Sequence, residues 1–260
     1  MAAAKLAVLV AVLSTWCCTP VQAQTPGLTV FVANGVNDFV QDLRQEAERV
    51  TRLPLLIHTG EAALLERSLE NGARFDVAIL PDWAVDELVK SGKAIGTNRL
   101  TLARAAIGLC VRMGAAKPKI DTVDTFKEAM LKADSVAVTV ATNPGSARQA
   151  LEQAFERLGI ANVMRPKTIL TPVNQATQWV ADGQAQFAIN YVSNILSAPD
   201  VDLVGPFPEE LQRYLDFDVV SATTSRDSQA VRALLKFLGE PHDQQLRAHG
   251  NEPPRRSPQR

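Results

Sequence analysis

The sequence predicts an α/β protein of two lobes, each a mostly parallel sheet flanked by helices, with a ligand cleft between the lobes. Three observations predict it. Between Leu28 and Gly92 a strand-like apolar run followed by a helically spaced one occurs three times in succession, as in βα units joined by right-handed crossovers. The alternation resumes at Ile107 with different spacing and runs to Ser193. The strand and helix signals after Asp200 are too few for a third core, so they are expected to rejoin the first lobe.

Residues 1–23 contain Lys5, an apolar run from Leu6 to Leu13 and a small-residue end at Val21-Gln22-Ala23. This reads as a secretory signal cleaved after Ala23, its apolar run too short to span a bilayer. Cys17 and Cys18 lie within it, but the bulky Trp16 before them fits signal cleavage better than lipid attachment. A periplasmic protein without membrane insertion after signal removal is expected. Of 3 cysteines the mature chain keeps Cys110, so stability rests on the core and not on an internal disulfide. With 27 basic and 28 acidic side chains, neither nucleic acid nor an anionic membrane surface is an expected partner. A monomer is expected.

In the first lobe, assigned to residues 24–106 and 194–250, LTVFVANG is a buried strand ending in a polar turn and VNDFVQDLRQEAERV the helix behind it. LPLLIHTG and ALLERSLENG form the next unit, FDVAILPD and WAVDELVKSG the third. In the second lobe, residues 107–193, AAIGLCVRM, SVAVTVA, KTILTPVN and QFAINYVS read as strands, while TVDTFKEAMLKA, RQALEQAFERLGI and QATQWVADG read as helices. VDLVGPFPEELQ through VRALLKFLGEP returns to the first lobe, and the Pro- and Arg-rich residues 251–260 form a disordered tail.

Ligands of such sheets bind beyond the carboxyl ends of the strands. Three polar turns lie there, at Asn34 and Gly35, at Gly60 and Glu61, and at Pro81 and Asp82. In the second lobe TNPGSARQ carries Asn143, Ser146 and Arg148 where a Pro-Gly turn feeds a helix; Arg148 can clamp a carboxylate bidentately beside free helix-start amides. Asn174 is read as the N-cap of the helix that follows, with Gln175 next to it. Tyr191 ends a strand, where its amphipathic ring can seal a cleft. His58 precedes the second turn, whereas His242 and His249 lie far along the chain. No Cys/His cluster has metal-ligand spacing, and neither a G-x-S-x-G elbow nor a Walker loop occurs. No metal or cofactor is expected. Cys110, in an apolar strand, reads as a small buried hydrophobe.

The order of LTVF-ANG, GARFDVAILPD, SAR at a helix start, NQATQWVADGQAQFAINYVSN and VDLVGPFPEEL is similar to the periplasmic molybdate-binding-protein-like family of solute-binding proteins, over nearly the whole mature chain. The resemblance implies the class II periplasmic binding protein fold, a ligand clamped between lobes and delivery to an ABC permease. It also implies a cleft in which serine hydroxyls, backbone N–H groups and a tyrosine hold a tetrahedral oxyanion. Here the first-turn serine slot holds Gly35, the serine pair after the second strand falls on Glu61 and Ala62, Asn34 replaces a small apolar residue, and the tyrosine slot is kept as Tyr191. Three hydroxyls are missing, and a carboxylate facing a dianion adds repulsion on the order of several kcal/mol at short range. Molybdate, tungstate and sulfate are therefore poor fits.

Glu61 has three readings: a solvent-facing complement to the helix dipole, a recognition group for a hydroxyl or amine donor or, if protonated, for an anionic oxygen, or a proton-transfer base or acid of raised pKa. The expected function is a receptor for a small organic anion, a di- or tricarboxylate held by Arg148 and helix starts. The alternative is an enzyme. Aconitate isomerase resembles the same family, and its allylic proton shift between trans- and cis-aconitate needs no metal or cofactor but anion sites, donors that stabilise the dienolate-like charge, and a base, here Glu61 or His58.

Overall fold

A computed structural model describes residues 27–255, apart from 142, 226 and 227; the signal read from residues 1–23 lies outside the described residues, as does the end of the tail. The first lobe begins β1 (Leu28–Ala33), α1 (Asn34–Thr51), β2 (Leu55–Gly60), α2 (Ala62–Glu70), β3 (Val77–Pro81) and α3 (Asp82–Lys90). β4 (Leu100–Arg112) leads to α4 (Val123–Lys132), β5 (Val136–Thr139), α5 (Ala147–Arg157), α6 (Ala161–Met164), β6 (Thr168–Thr171), α7 (Ala176–Ala181), β7 (Phe187–Tyr191), α8 (Val192–Leu196) and β8 (Val201–Pro206). β9 (Tyr214–Ser221), α9 (Ser228–Leu238), α10 (Asp243–Ala248) and β10 (Asn251–Glu252) close the chain.

β4 belongs to both lobes. Its residues 100–106 pair antiparallel with β9, which also lies antiparallel to β3, in the order β2-β1-β3-β9-β4. From Ile107 to Val111 it pairs instead, antiparallel, with β7, and β5 and β6 follow on that side parallel to β7. The apolar pattern explains why both faces of the second sheet are covered. Ile107, Leu109 and Val111 enter one core with Phe126, Leu151 and Phe155, while Cys110 between them faces a second core of small residues, Ala137, Ala176 and Ala188. That is the period-2 alternation of a strand applied to a sheet with helices on each side.

At the sheet switch a side chain holds the two crossings together. Gln212 accepts from the Ile107 N–H and donates to the Ile107 carbonyl, both at 2.9 Å. It also donates to the Phe207 carbonyl, so the crossing strand and the returning chain are joined where they pass between lobes.

The described chain departs from the sequence expectation in three places. The return to the first lobe begins near Tyr214 and not at residue 194: β8 pairs with residues 108–112 of β4, and Phe207 and Leu211 sit in the second core. The exposed flank of β4 needs a hydrogen-bonding neighbour, and β8 supplies it. The strand read as QFAINYVS stops at Tyr191, and Val192 begins α8. Asn251 and Glu252, assigned to a disordered tail, form β10 against Arg104 and Ala105. Asn251 is buried and donates to the Gly35 carbonyl at 3.2 Å.

Candidate functional site

A cleft of about 100 Å3 opens between the lobes, lined by the ends of β1 and β3 and the start of α2 on one side and by the loops before α5 and α7 on the other. That is room for several waters or one small ligand. Asn34, Gly35, Glu61, Asn143, Ser146, Asn174 and Tyr191 all line it.

Glu61 is the N-cap of α2. Its Oε2 accepts from the Leu64 N–H at 3.1 Å. The chain's own carboxylate therefore occupies one of the first-turn amides that would otherwise attract an anion. The start of α1, by contrast, has neither a side-chain cap nor an acidic residue in its first turn. Gly35 is explained by packing, since a Cβ there would stand 2.7 Å from the Phe217 ring, which is itself buried. A serine in this slot has no room while Phe217 keeps its place.

On the second wall Ser146 caps α5, accepting from the Gln149 N–H at 3.3 Å. Tyr191 packs against both large cores and donates its hydroxyl to the Gly145 carbonyl at 2.8 Å. Burial pushes its phenol pKa up, and the nearby Asp82 carboxylate adds to this, so the hydroxyl stays protonated. Gly145 has φ +74°, and a Cβ on it would stand 2.7 Å from Leu215, which ties this loop to the floor formed by β9.

Four sequence candidates are placed elsewhere. Arg148 donates to Glu152 at 2.8 Å and to the Val140 carbonyl, and it lines a separate groove of the second lobe with Arg165. Its helical partner four residues on takes the fork that was to clamp a carboxylate. His58 lies on β2, the edge strand, stacked on Phe31 with ring centroids 5.0 Å apart, and is exposed outside the cleft. Gly60 is the last residue of β2, packed near Leu65, and does not line the cleft. Gln175, not Asn174, stands at the N-cap of α7, and it makes no side-chain cap and stays outside the cleft. Asn174 adopts φ +62° in the preceding turn, a left-handed conformation that asparagine tolerates, and it keeps its place on the lining.

Trp83, Thr139, Asn190, Asn194 and Phe217 line the cleft and were not singled out from sequence. Asn190 accepts from the Tyr191 N–H at 2.8 Å and from Asn194 at 3.2 Å, a pairing that the i, i+4 spacing could have suggested. The Trp83 Nε1 donor is buried without a protein partner. Asp82 beside it has a raised pKa, from burial first and then from Asp216, Asp218 and Asp86. Among the described lining residues, Glu61 and Tyr191 alone have ionisable side chains.

A family model described as bacterial extracellular solute-binding protein matches residues 28–250. The chain belongs to this family. Within it the chain is similar to the molybdate-binding protein of Escherichia coli strain K12, 26% identical over 220 residues that span 82% of this chain and 84% of the relative. It is also similar to an aconitate isomerase of a Pseudomonas species, 28% identical over 227 residues, 85% of this chain and 86% of the relative. Among solved structures, the periplasmic molybdate-binding protein of Azotobacter vinelandii shares the fold, with a TM-score of 0.67 at 19% identity over 88% of this chain and 100% of that one. The solute-binding fold accounts for the two lobes and the cleft between them. No helix among the described residues is long and apolar enough to cross a membrane.

Proposed function

We propose that this solute-binding protein is a periplasmic receptor that clamps a small organic anion between its lobes and presents it to an ABC permease. The observation that carries the reading is the lining of the cleft. Asn34, Asn143, Asn174, Asn190 and Asn194 line the gap between lobes together with Ser146 and Tyr191, an uncharged polar lining of the kind that hinge closure can fold around a ligand. Glu61 and the lack of a hydroxyl at Gly35 weigh against a symmetric inorganic dianion. The di- or tricarboxylate expected from sequence rested on Arg148, which is turned to Glu152, so uncharged donors carry the binding.

A second reading, aconitate isomerase, is favoured by the Glu61 carboxylate on the cleft and by the similarity to the Pseudomonas enzyme. In that reaction a proton leaves the methylene carbon, the double bond shifts, and a proton returns at the other end of the allyl system. Glu61 is the base within reach of the cleft; His58 is not.

Proton NMR of the mature protein in heavy water with trans-aconitate separates the two, followed by a thermal-shift panel of carboxylates on the same sample. The receptor predicts no turnover and a stabilising shift, about 2.7 kcal/mol for a ligand at about 100 times its dissociation constant. Formation of deuterated cis-aconitate establishes the isomerase instead, and absence of both signals overturns the two readings together.

A further inference from the structure

We infer that the ligand is a short monocarboxylate that also carries a hydroxyl or ammonium donor, of about the size of lactate or alanine, and that Glu61 selects it by accepting from that donor. This rests on the receptor reading and narrows it. Among the described residues of the lining no lysine, arginine or histidine occurs, and Glu61 is the carboxylate present. One oxygen of Glu61 is committed to the Leu64 N–H, which fixes the side chain at the wall while a carboxylate retains further acceptor capacity.

The charge balance then limits the ligand. A polycarboxylate would place several negative charges against a fixed one with no cation to offset them, and short-range repulsion in a partly desolvated cleft is large. A monocarboxylate without a donor would leave the acceptor on Glu61 desolvated and unpaired, a penalty that discriminates strongly against analogues lacking the group. A ligand with one anionic end and one donor meets both demands. Its carboxylate has uncharged partners available in the asparagine amides and in the α1 start, which no side chain caps, while its donor turns to Glu61.

The test is a titration series on the mature protein and on Glu61→Gln, followed by calorimetry, with far-UV circular dichroism confirming that the variant folds. The probes are lactate and alanine, propionate as the donor-free analogue, and succinate and trans-aconitate as polyanions. The expected result is binding of lactate or alanine by the wild type, at least about tenfold tighter than propionate and than either polyanion. In Glu61→Gln the preference over propionate shrinks, and affinity for succinate and trans-aconitate rises about tenfold or more as the fixed charge is removed. Tighter wild-type binding of a polyanion than of lactate and alanine, or an unchanged ranking in Glu61→Gln, overturns this inference and leaves the receptor reading standing. No binding of any probe by either protein overturns both.

Discussion

Of the helices that begin on the cleft, two, one from each lobe, have a first-turn amide capped by a side chain, and they do it differently. α2 uses the charged Glu61, and α5 uses the neutral hydroxyl of Ser146. The same division extends along the walls. The first wall has Glu61 on the lining and Asp82 beside it, whereas Asn143, Ser146 and Asn174 on the second are uncharged. The walls also differ in what holds them. Gly35 presses on Phe217 inside a single lobe, but Gly145 belongs to the second lobe and presses on Leu215 of the first. One contact is internal packing, and the other is made only when the lobes are together.

Substitution at these glycines breaks the comparison in two distinguishable ways. Gly145→Ala puts alanine at φ +74° and a methyl 2.7 Å from buried Leu215, at a cost of about 2–4 kcal/mol from left-handed strain and overlap together. Opening the lobes relieves the overlap. The expected outcome is weaker ligand binding and a larger radius of gyration by small-angle scattering, with part of the loss seen as a lower unfolding midpoint. Gly35→Ser meets Phe217 whether the lobes are open or closed, so its cost of about 1–3 kcal/mol appears in denaturant unfolding with no change in scattering. A Phe217→Leu background should return part of it. Equal opening by both variants would show that the two walls do not differ in this way.

The same contacts show how far sequence reasoning reaches. The βα alternation is written locally in apolar spacing, so the elements from β1 to α3 were legible. Asn34, Glu61, Ser146 and Tyr191 followed because strand ends and helix starts must lie on one edge of such a sheet. Long-range partners were not legible. Gly35 reads as a lost serine until Phe217 is seen against it, and β9 inserts antiparallel between β3 and β4, a choice of neighbour that no local pattern encodes. Arg148 differs in kind, since the partner that takes it from the cleft is local: Glu152, four residues on, pairs with it along the helix. Trp83 gave no signal of its own, as an aromatic at the first turn of a helix is ordinary core material until its N–H is found unpartnered.

The acidity of the first wall gives the smallest effect and the most specific one. Asp82 is partly desolvated, with Asp216, Asp218 and Asp86 nearby, and its pKa stands above the ordinary carboxylate value. A carboxyl whose folded pKa is raised contributes stability below its unfolded pKa of about 3.9 and loses that contribution as pH rises through the folded value. At neutral pH the ionised Asp82 therefore opposes folding. Asp82→Asn keeps an oxygen able to accept from the Trp83 N–H, as Asp82 does at 2.8 Å, and removes the charge. The urea midpoint should rise in the variant at pH 7 and match the wild type at pH 3, where Asp82 is already protonated. A gain of equal size at both pH values would assign the effect to packing instead of charge, and would take Asp82 out of the electrostatic contrast between the walls.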